Sequence, residues 1–323
     1  MNFTQLKYAL AVARTRNFSQ AAKLCRISQP SLSVAVKNLE EELGVSLFER
    51  IRNDVKITPV GARILAQAQK ALEEVDRIRG VAQDGSDPLT GSLRLGAILT
   101  VGPYLFPSLV PAFHQRAPAM TLMLEEGYTQ VLTERLRQGE LDAIVIAMPF
   151  DEPAVKVQVL YHEPFVAAVP SGHPWCGRRD LTGAELAGER LLLLGEGNCF
   201  RDQVLEICPD GMRVENTVGR DNILEGSSLE TLRHMVATGA GTTVLPLTAV
   251  NSLICNMSAC PARENHLLQY VPFSDPVPER RVALAWRTSY PNHAAIEALI
   301  QSVRSAPPPG GEPFPRMIIS SLR

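Results

Sequence analysis

The residues best equipped for chemistry lie in one run, Gly195-Glu196-Gly197-Asn198-Cys199-Phe200-Arg201-Asp202-Gln203-Val204-Leu205-Glu206-Ile207-Cys208. Glycines precede Cys199 and a helical apolar pattern follows it, so the thiol is expected at a helix N-terminus with Arg201 close by. Unpaired N–H groups and a neighbouring cation both favour thiolate over thiol. Peroxide oxidises a thiolate to a sulfenic acid, which condenses with a second thiol. The second thiol, Cys208, stands nine residues on. On one regular helix the pair would be about 13 Å apart along the axis and on opposite faces, whereas a disulfide needs Cα atoms within roughly 7 Å. Bonding the pair therefore requires the helix to unwind or the segment to refold, which couples thiol chemistry to a conformational change. The same spacing also suits two unrelated cysteines, one of them packed in an apolar helix face.

The other candidates offer less. Six cysteines in 323 residues are too few for a disulfide framework, and a reducing compartment would oppose one. Cys255 and Cys260 have no nearby His or Cys pair to complete a metal site, and Cys25 and Cys176 read as packing or surface thiols. No nucleophile elbow, phosphate loop or His-x-x-x-His is present, and Gly239-Ala240-Gly241 lacks the third glycine of a dinucleotide fingerprint. Neither metal nor cofactor is expected. No apolar run approaches the roughly 18 to 20 residues of a membrane span, and no leader begins the chain, which points to the cytoplasm.

The elements that must position the thiols read as α/β. Short apolar runs at Leu93 to Ala97, Leu122 to Leu124, Leu141 to Ala147, Phe165 to Val169, Leu191 to Leu194 and Thr242 to Leu245 are separated by helical stretches such as Thr129 to Gln138 and Ser228 to Ala237. Alternation of this kind implies parallel sheets, whose ligands meet the carboxyl ends of strands. Thr100 and Thr129 follow the first two runs and could line one cleft, or could simply cap helices.

The chain is 45% apolar, 20% charged and 6% aromatic, a composition that folds in water. Its net charge of −2 conceals an asymmetry. Residues 1 to 83 hold 13 Lys+Arg against 8 Asp+Glu, net +5, which leaves 19 against 26, net −7, for residues 84 to 323. A basic head on an acidic body suggests a nucleic-acid-binding module joined to a second function. In the head, Phe3, Leu6, Leu10 and Val12 mark a first helix, and Asn17 caps a second. Ser28 caps a third, with Pro30 in its first turn and Gly44 at its end. This is the helix-turn-helix geometry that places a recognition helix in the major groove. Ser28, Gln29, Pro30, Ser31, Ser33 and Lys37 are its candidate DNA contacts. Phe48 to Ile57 reads as a hairpin wing whose Arg50, Arg52 and Lys56 can meet phosphates. From Thr58-Pro59 a long helix carries Ile64, Ala68, Ala71, Val75, Ile78 and Ala82 at heptad spacing, a seam that asks for a partner helix or a core of its own chain. Gln83 to Pro88 is a linker by composition.

Phe18-Ser19-Gln20-Ala21-Ala22, Ser28-Gln29-Pro30-Ser31-Leu32-Ser33, Leu39-Glu40-Glu41-Glu42-Leu43-Gly44 and Leu47-Phe48-Glu49-Arg50 together resemble the N-terminal motif set of LysR-type transcriptional regulators. The resemblance implies a winged helix-turn-helix (1–58) and a dimerising linker helix and hinge (59–91). It implies an α/β effector domain similar to periplasmic binding proteins (92–305), with subdomain I at about 92–162 and 267–305 and subdomain II at about 163–266. Residues 306–323, rich in proline and glycine at first, are expected to be a flexible tail. The cysteine segment is similar to the redox loop of the peroxide-sensing members of that family, Gly-His-Cys-(Leu/Phe)-Arg-Asp-Gln followed by a resolving cysteine. That likeness implies that Cys199 is peroxidatic and Cys208 resolving, and that Thr100, Thr129, Arg201 and Asp202 support the peroxide. Ser227 to Ala237 matches as well. Asn198 stands where the family usually carries histidine, and it can hydrogen-bond but cannot relay a proton. The implied partners are operator DNA, further copies of the chain in a homodimer and then a homotetramer, RNA polymerase, and hydrogen peroxide as signal. A regulator answering instead to a small organic effector in the cleft, and a thiol peroxidase sharing the first step, are the competing expectations.

Overall fold

A computed structural model describes residues 1–51, 54–82, 88–208, 224–250 and 267–313. The chain divides into two compact units. One comprises Met1–Asp87 with Arg135–Glu140 and Arg287–His293, and the other comprises the remainder.

The head opens with α1 (Phe3–Thr15), capped by Asn2, then α2 (Phe18–Leu24), where Asn17 accepts from the amides of Ser19 and Gln20. α3 (Gln29–Leu43) begins at Ser28, whose side chain accepts from the Ser31 amide, and ends at Gly44 with φ +68°. That left-handed conformation costs glycine nothing because it has no Cβ. β1 (Phe48–Ile51) and β2 (Asp54–Ile57) form the antiparallel wing. Glu40 Oε1 ties the wing to α3 by accepting from the Leu47 amide at 2.6 Å and the Phe48 amide at 3.1 Å. Leu6, Ala9 and Val12 of α1, Ala21 and Ala22 of α2, and Leu32, Val36 and Leu39 of α3 bury one core. Phe3, expected on α1's inner face, is exposed.

α4 (Pro59–Ala82) starts at Thr58, whose hydroxyl accepts from the Gly61 amide and donates to the Ser46 carbonyl. Its heptad stripe is divided. Ala68 joins Leu65 and Leu72 in the head's own core with Ile64 against it, whereas Ile78 is exposed. Residues 83–87, most of the expected linker, lie outside the described residues.

The second unit begins with β3 (Gly91–Ile98), α5 (Gly102–Arg116), β4 (Met120–Gly127), α6 (Thr129–Arg137) and β5 (Ala143–Ala147), with β3 parallel to both β4 and β5. β6 (Val155–Pro170) is far longer than the five-residue run seen in the sequence. β7 (Leu192–Leu194), α7 (Cys199–Ile207), β8 (Leu224–Gly226), α8 (Leu229–Ala237), β9 (Thr243–Pro246), α9 (Leu247–Val250), β10 (Leu268–Pro272), β11 (Glu279–Arg287), α10 (His293–Ser305) and β12 (Glu312–Pro313) follow.

Three expectations need correction. The large sheet, in the order β10-β6-β11-β5-β3-β4, is mixed rather than parallel, because β11 runs antiparallel to β5 and β9 and β10 run antiparallel to β6. β10 belongs with the second subdomain, although the boundary at 267 put it in the first. It pairs with Val166–Pro170, and Leu268, Val271 and Phe273 pack in the core that also holds Leu192, Phe200 and Val236. The tail is placed as far as 313, since β12 pairs with Tyr161 and His162 of β6.

Candidate functional site

The thiol site is built at the N-terminus of α7. Gly197 adopts φ +87°, a turn any L side chain would strain, and a Cβ added there would lie 3.8 Å from Tyr128 Cδ1. The backbone conformation, rather than space beside Tyr128, is therefore what calls for glycine here. Asn198 is buried at the N-cap position. Its side chain does not cap the helix but donates from Nδ2 to the Gly195 carbonyl at 2.9 Å, closing the turn on itself. Cys199 is thus the first residue of α7 and is half-buried. α7's inner face is held by Phe200, set edge-on to Phe165 with ring centroids 5.2 Å apart, and by buried Val204. The helix ends at Cys208, non-helical at ψ 85° and 1% exposed. The proline following it in sequence disfavours helical geometry in the residue before. One continuous helix therefore separates the two thiols by about 13 Å along its axis.

Arg201 fastens the start of α7 from the other side. Its Nη1 donates to the Leu194 carbonyl at 3.0 Å and to Glu225 Oε1 at 2.9 Å, joining α7 to β7 and β8. Asp202 faces a cavity of about 820 Å³ whose wall includes Cys199, Gln203, Glu206, Arg280 and Arg281. Gln203 Nε2 donates to the Met148 carbonyl at 3.3 Å.

Thr100 lies off that wall. It is buried and accepts at Oγ1 from Arg280 Nη1 at 2.9 Å, while its carbonyl accepts from Arg280 Nη2 at 2.9 Å. The same guanidinium lies over the Phe200 ring at 5.0 Å and donates from Nε to Glu163, which also accepts from the Thr248 hydroxyl. Thr100 and the cysteine helix are brought together through Arg280, a residue the sequence reading did not include. Its signal is the alternation at the start of β11, where Arg280 and Val282 are buried and Glu279 and Arg281 are exposed. The signal was unreadable without recognising the strand. Thr129 opens α6 half-buried, and its carbonyl accepts from the Thr133 hydroxyl. In the third matching stretch, Glu230 accepts from the Tyr104 hydroxyl at 2.9 Å. Burial and then the Glu230 carboxylate push that phenol well above its ordinary range.

In the head, Ser28, Gln29, Pro30, Ser31 and Lys37 are all exposed and Ser33 is half-exposed. In the free protein the polar groups satisfy one another: Ser28 and Ser31 hydroxyls are 2.7 Å apart, Gln29 Nε2 donates to Ser33 Oγ at 3.1 Å, and Lys37 pairs with Glu41 at 3.3 Å. Arg50 stands opposite Val55 in the wing. Arg52, Cys255 and Cys260 lie outside the described residues. Cys25 closes α2 half-buried, where burial pushes its thiol up, and Cys176 is half-buried against the Pro170 carbonyl.

Comparison with known proteins agrees with both halves. Residues 3–62 match the bacterial regulatory helix-turn-helix protein, lysR family, and residues 86–307 match the LysR substrate binding domain. The chain is 37% identical over 305 residues to the DNA-binding transcriptional dual regulator OxyR of Escherichia coli K12, covering 94% of this chain and 95% of that protein. A full-length cysteine-to-aspartate variant of OxyR from Pseudomonas aeruginosa superposes with a TM-score of 0.81 at 46% identity, covering 98% of this chain and 99% of that one. A hydrogen-peroxide-bound cysteine mutant of OxyR from Corynebacterium glutamicum gives 0.60 at 31% identity, with 94% and 92% covered. From a recognition helix at one end to the α/β body at the other, the chain belongs to the LysR family of bacterial transcriptional regulators.

Proposed function

We propose that this chain is a DNA-binding transcription regulator that senses hydrogen peroxide through Cys199 and Cys208. The observation that carries the reading is the placement of Cys199 as the first residue of α7, half-buried on a cavity wall, with Cys208 buried just past the helix's other end. The Cys199 thiolate attacks one peroxide oxygen, the O–O bond breaks, and the departing hydroxide takes a proton to leave as water. The resulting sulfenic acid meets the Cys208 thiol, whose sulfur displaces the hydroxyl group, giving a disulfide and a second water. A cellular dithiol returns both electrons. The first step needs no large motion. The second requires α7 to unwind and Cys208 to leave its core, because about 13 Å of helix separates the thiols.

Thr100, Thr129, Asn198, Arg201 and Asp202 are the residues we assign to peroxide support, with Arg280 holding Thr100. The loss of α7 alters the body and, through subunit arrangement, the spacing of two recognition helices on DNA half-sites. Ile78, exposed on α4, supplies the dimer contact, and two dimers form the tetramer that engages operator DNA and RNA polymerase. Among the described residues no helix is long and apolar enough to cross a membrane; the DNA-binding reading is what places its work at the nucleoid in the cytoplasm.

Peroxide treatment followed by peptide mass spectrometry and operator footprinting tests the reading. A Cys199–Cys208 linked peptide and a changed footprint are expected, both abolished by Cys199→Ser. No linked peptide, or an unchanged footprint, overturns it. One observation favours a second reading. The cavity's 820 Å³ exceeds what peroxide needs and falls in the range, roughly 300 to 1,000 Å³, that holds organic ligands. A DNA response to an organic effector, undiminished in Cys199→Ser, would establish an effector-controlled regulator, with the ligand in this cavity rather than in a cleft lined by Thr100 and Thr129, neither of which borders it.

A further inference from the structure

The middle of the recognition helix carries an apolar side chain that the head leaves mostly exposed, at the rim of an open groove shared with Gln5 and Tyr8 of α1. Val34 is 57% exposed, whereas Leu32, Val36 and Leu39 of the same helix are buried. At about 100° per residue, Leu32, Val36 and Leu39 cluster within about 40° of the direction opposite Val34. Pro30, Ser31, Lys37 and Asn38 fall within about 60° on either side of it, and all four are exposed. Val34 therefore stands at the centre of the outward face. Gln29 and Ser33 lie about 100° or more away and hydrogen-bond each other. The face is flanked by Lys37 and belongs to a head of net charge +5 over residues 1–83, so its complement is an anionic surface with an apolar spot on it. The major groove presents one such spot, the C5-methyl of thymine.

We propose that Val34 reads a thymine methyl in each operator half-site, so that this residue, more than Gln29 or Ser33, sets sequence preference on the helix's central face. The proposal rests on the DNA-binding reading above and adds to it a base and a chemical group. Burying one methyl is worth about a fourfold change in affinity. Phosphate contacts by Lys37 carry no such sequence information.

The full-length protein is used to enrich duplexes from a random pool. In the enriched site each thymine is then replaced singly by deoxyuridine, which deletes only the methyl. For the native chain, one thymine per half-site should show a loss of about fourfold. In Val34→Ala that loss should fall below about twofold at the same position, while Lys37→Ala weakens all duplexes and leaves the uridine effect intact. Val34 is exposed and alanine is the better helix former, so the variant keeps its fold, and matching melting curves verify this. If no thymine shows a uridine effect that depends on residue 34, the inference fails while the regulator reading stands. If no sequence is enriched at all, the DNA-binding reading falls and the inference with it.

Discussion

Replacing Phe200 by leucine should make the Cys199–Cys208 disulfide more stable. Phe200 is 1% exposed, packs edge-on to Phe165 at 5.2 Å, and lies 5.0 Å beneath the Arg280 guanidinium. If α7 leaves its helical form when the sulfurs join, these contacts exist only in the dithiol form. Leucine retains most of the apolar burial but loses the aromatic pair, about 0.5–1.5 kcal/mol, and the cation–π contact, about 0.5–2 kcal/mol. Together they destabilise the dithiol form by about 2 kcal/mol. For a two-electron couple, about 30 mV corresponds to 1.4 kcal/mol. The midpoint potential of the variant should therefore lie about 40 mV below that of the native chain. Full-length protein equilibrated in thiol–disulfide buffers of graded potential, acid-quenched, alkylated and analysed by peptide mass gives both midpoints. A shift smaller than about 10 mV, or one in the opposite direction, would refute the reasoning, since Phe200 would then keep its pocket in the disulfide form.

Other outcomes follow from the same contacts. Glu163→Gln leaves the Arg280 guanidinium buried without its countercharge, a loss of about 3–5 kcal/mol. The second unit should melt about 10 °C lower, and a calorimetric shift under about 3 °C would contradict this. Ser28→Ala removes the cap that accepts from the Ser31 amide, costing the head about 1 kcal/mol in urea unfolding. Ser28→Asp should keep that stability yet bind DNA more weakly, because it sets a carboxylate toward phosphates, and unimpaired binding would count against the assigned face. Glu185 is held at about 2, from its ordinary 4.5, by Arg178 and then by the Thr182 amide and hydroxyl. Because its folded value is depressed, its stabilisation is present above pH 4.5 and is lost as pH falls toward 2. An NMR titration should find a midpoint near 2 that Arg178→Ala moves toward 4.5, and a native midpoint near the ordinary value would refute the pairing.

What the sequence determined by itself was local. Asn17, Ser28 and Gly44 mark the ends of α2 and α3 because a cap is a bond between a side chain, or a missing side chain, and amides or carbonyls within a few residues. The wing at Phe48 to Ile57, the start of α4 after Thr58, and the start of α7 at Cys199 were legible for the same reason, as was the conflict between a regular helix and a Cys199–Cys208 bond. The heptad stripe was legible as a stripe, but not which part of it the head would claim for Ala68. Direction and pairing of the later strands were not legible, since β10 and β11 carry charged or proline-flanked sequences whose inward faces exist only once β6 lies beside them. The buried guanidinium is the clearest case. Glu163 and Arg280 are 117 residues apart and each looks like an ordinary surface charge. Only the pairing of β6 with β11 in the sheet removes both from water, and that desolvation makes them seek each other, Thr100 and the ring of Phe200.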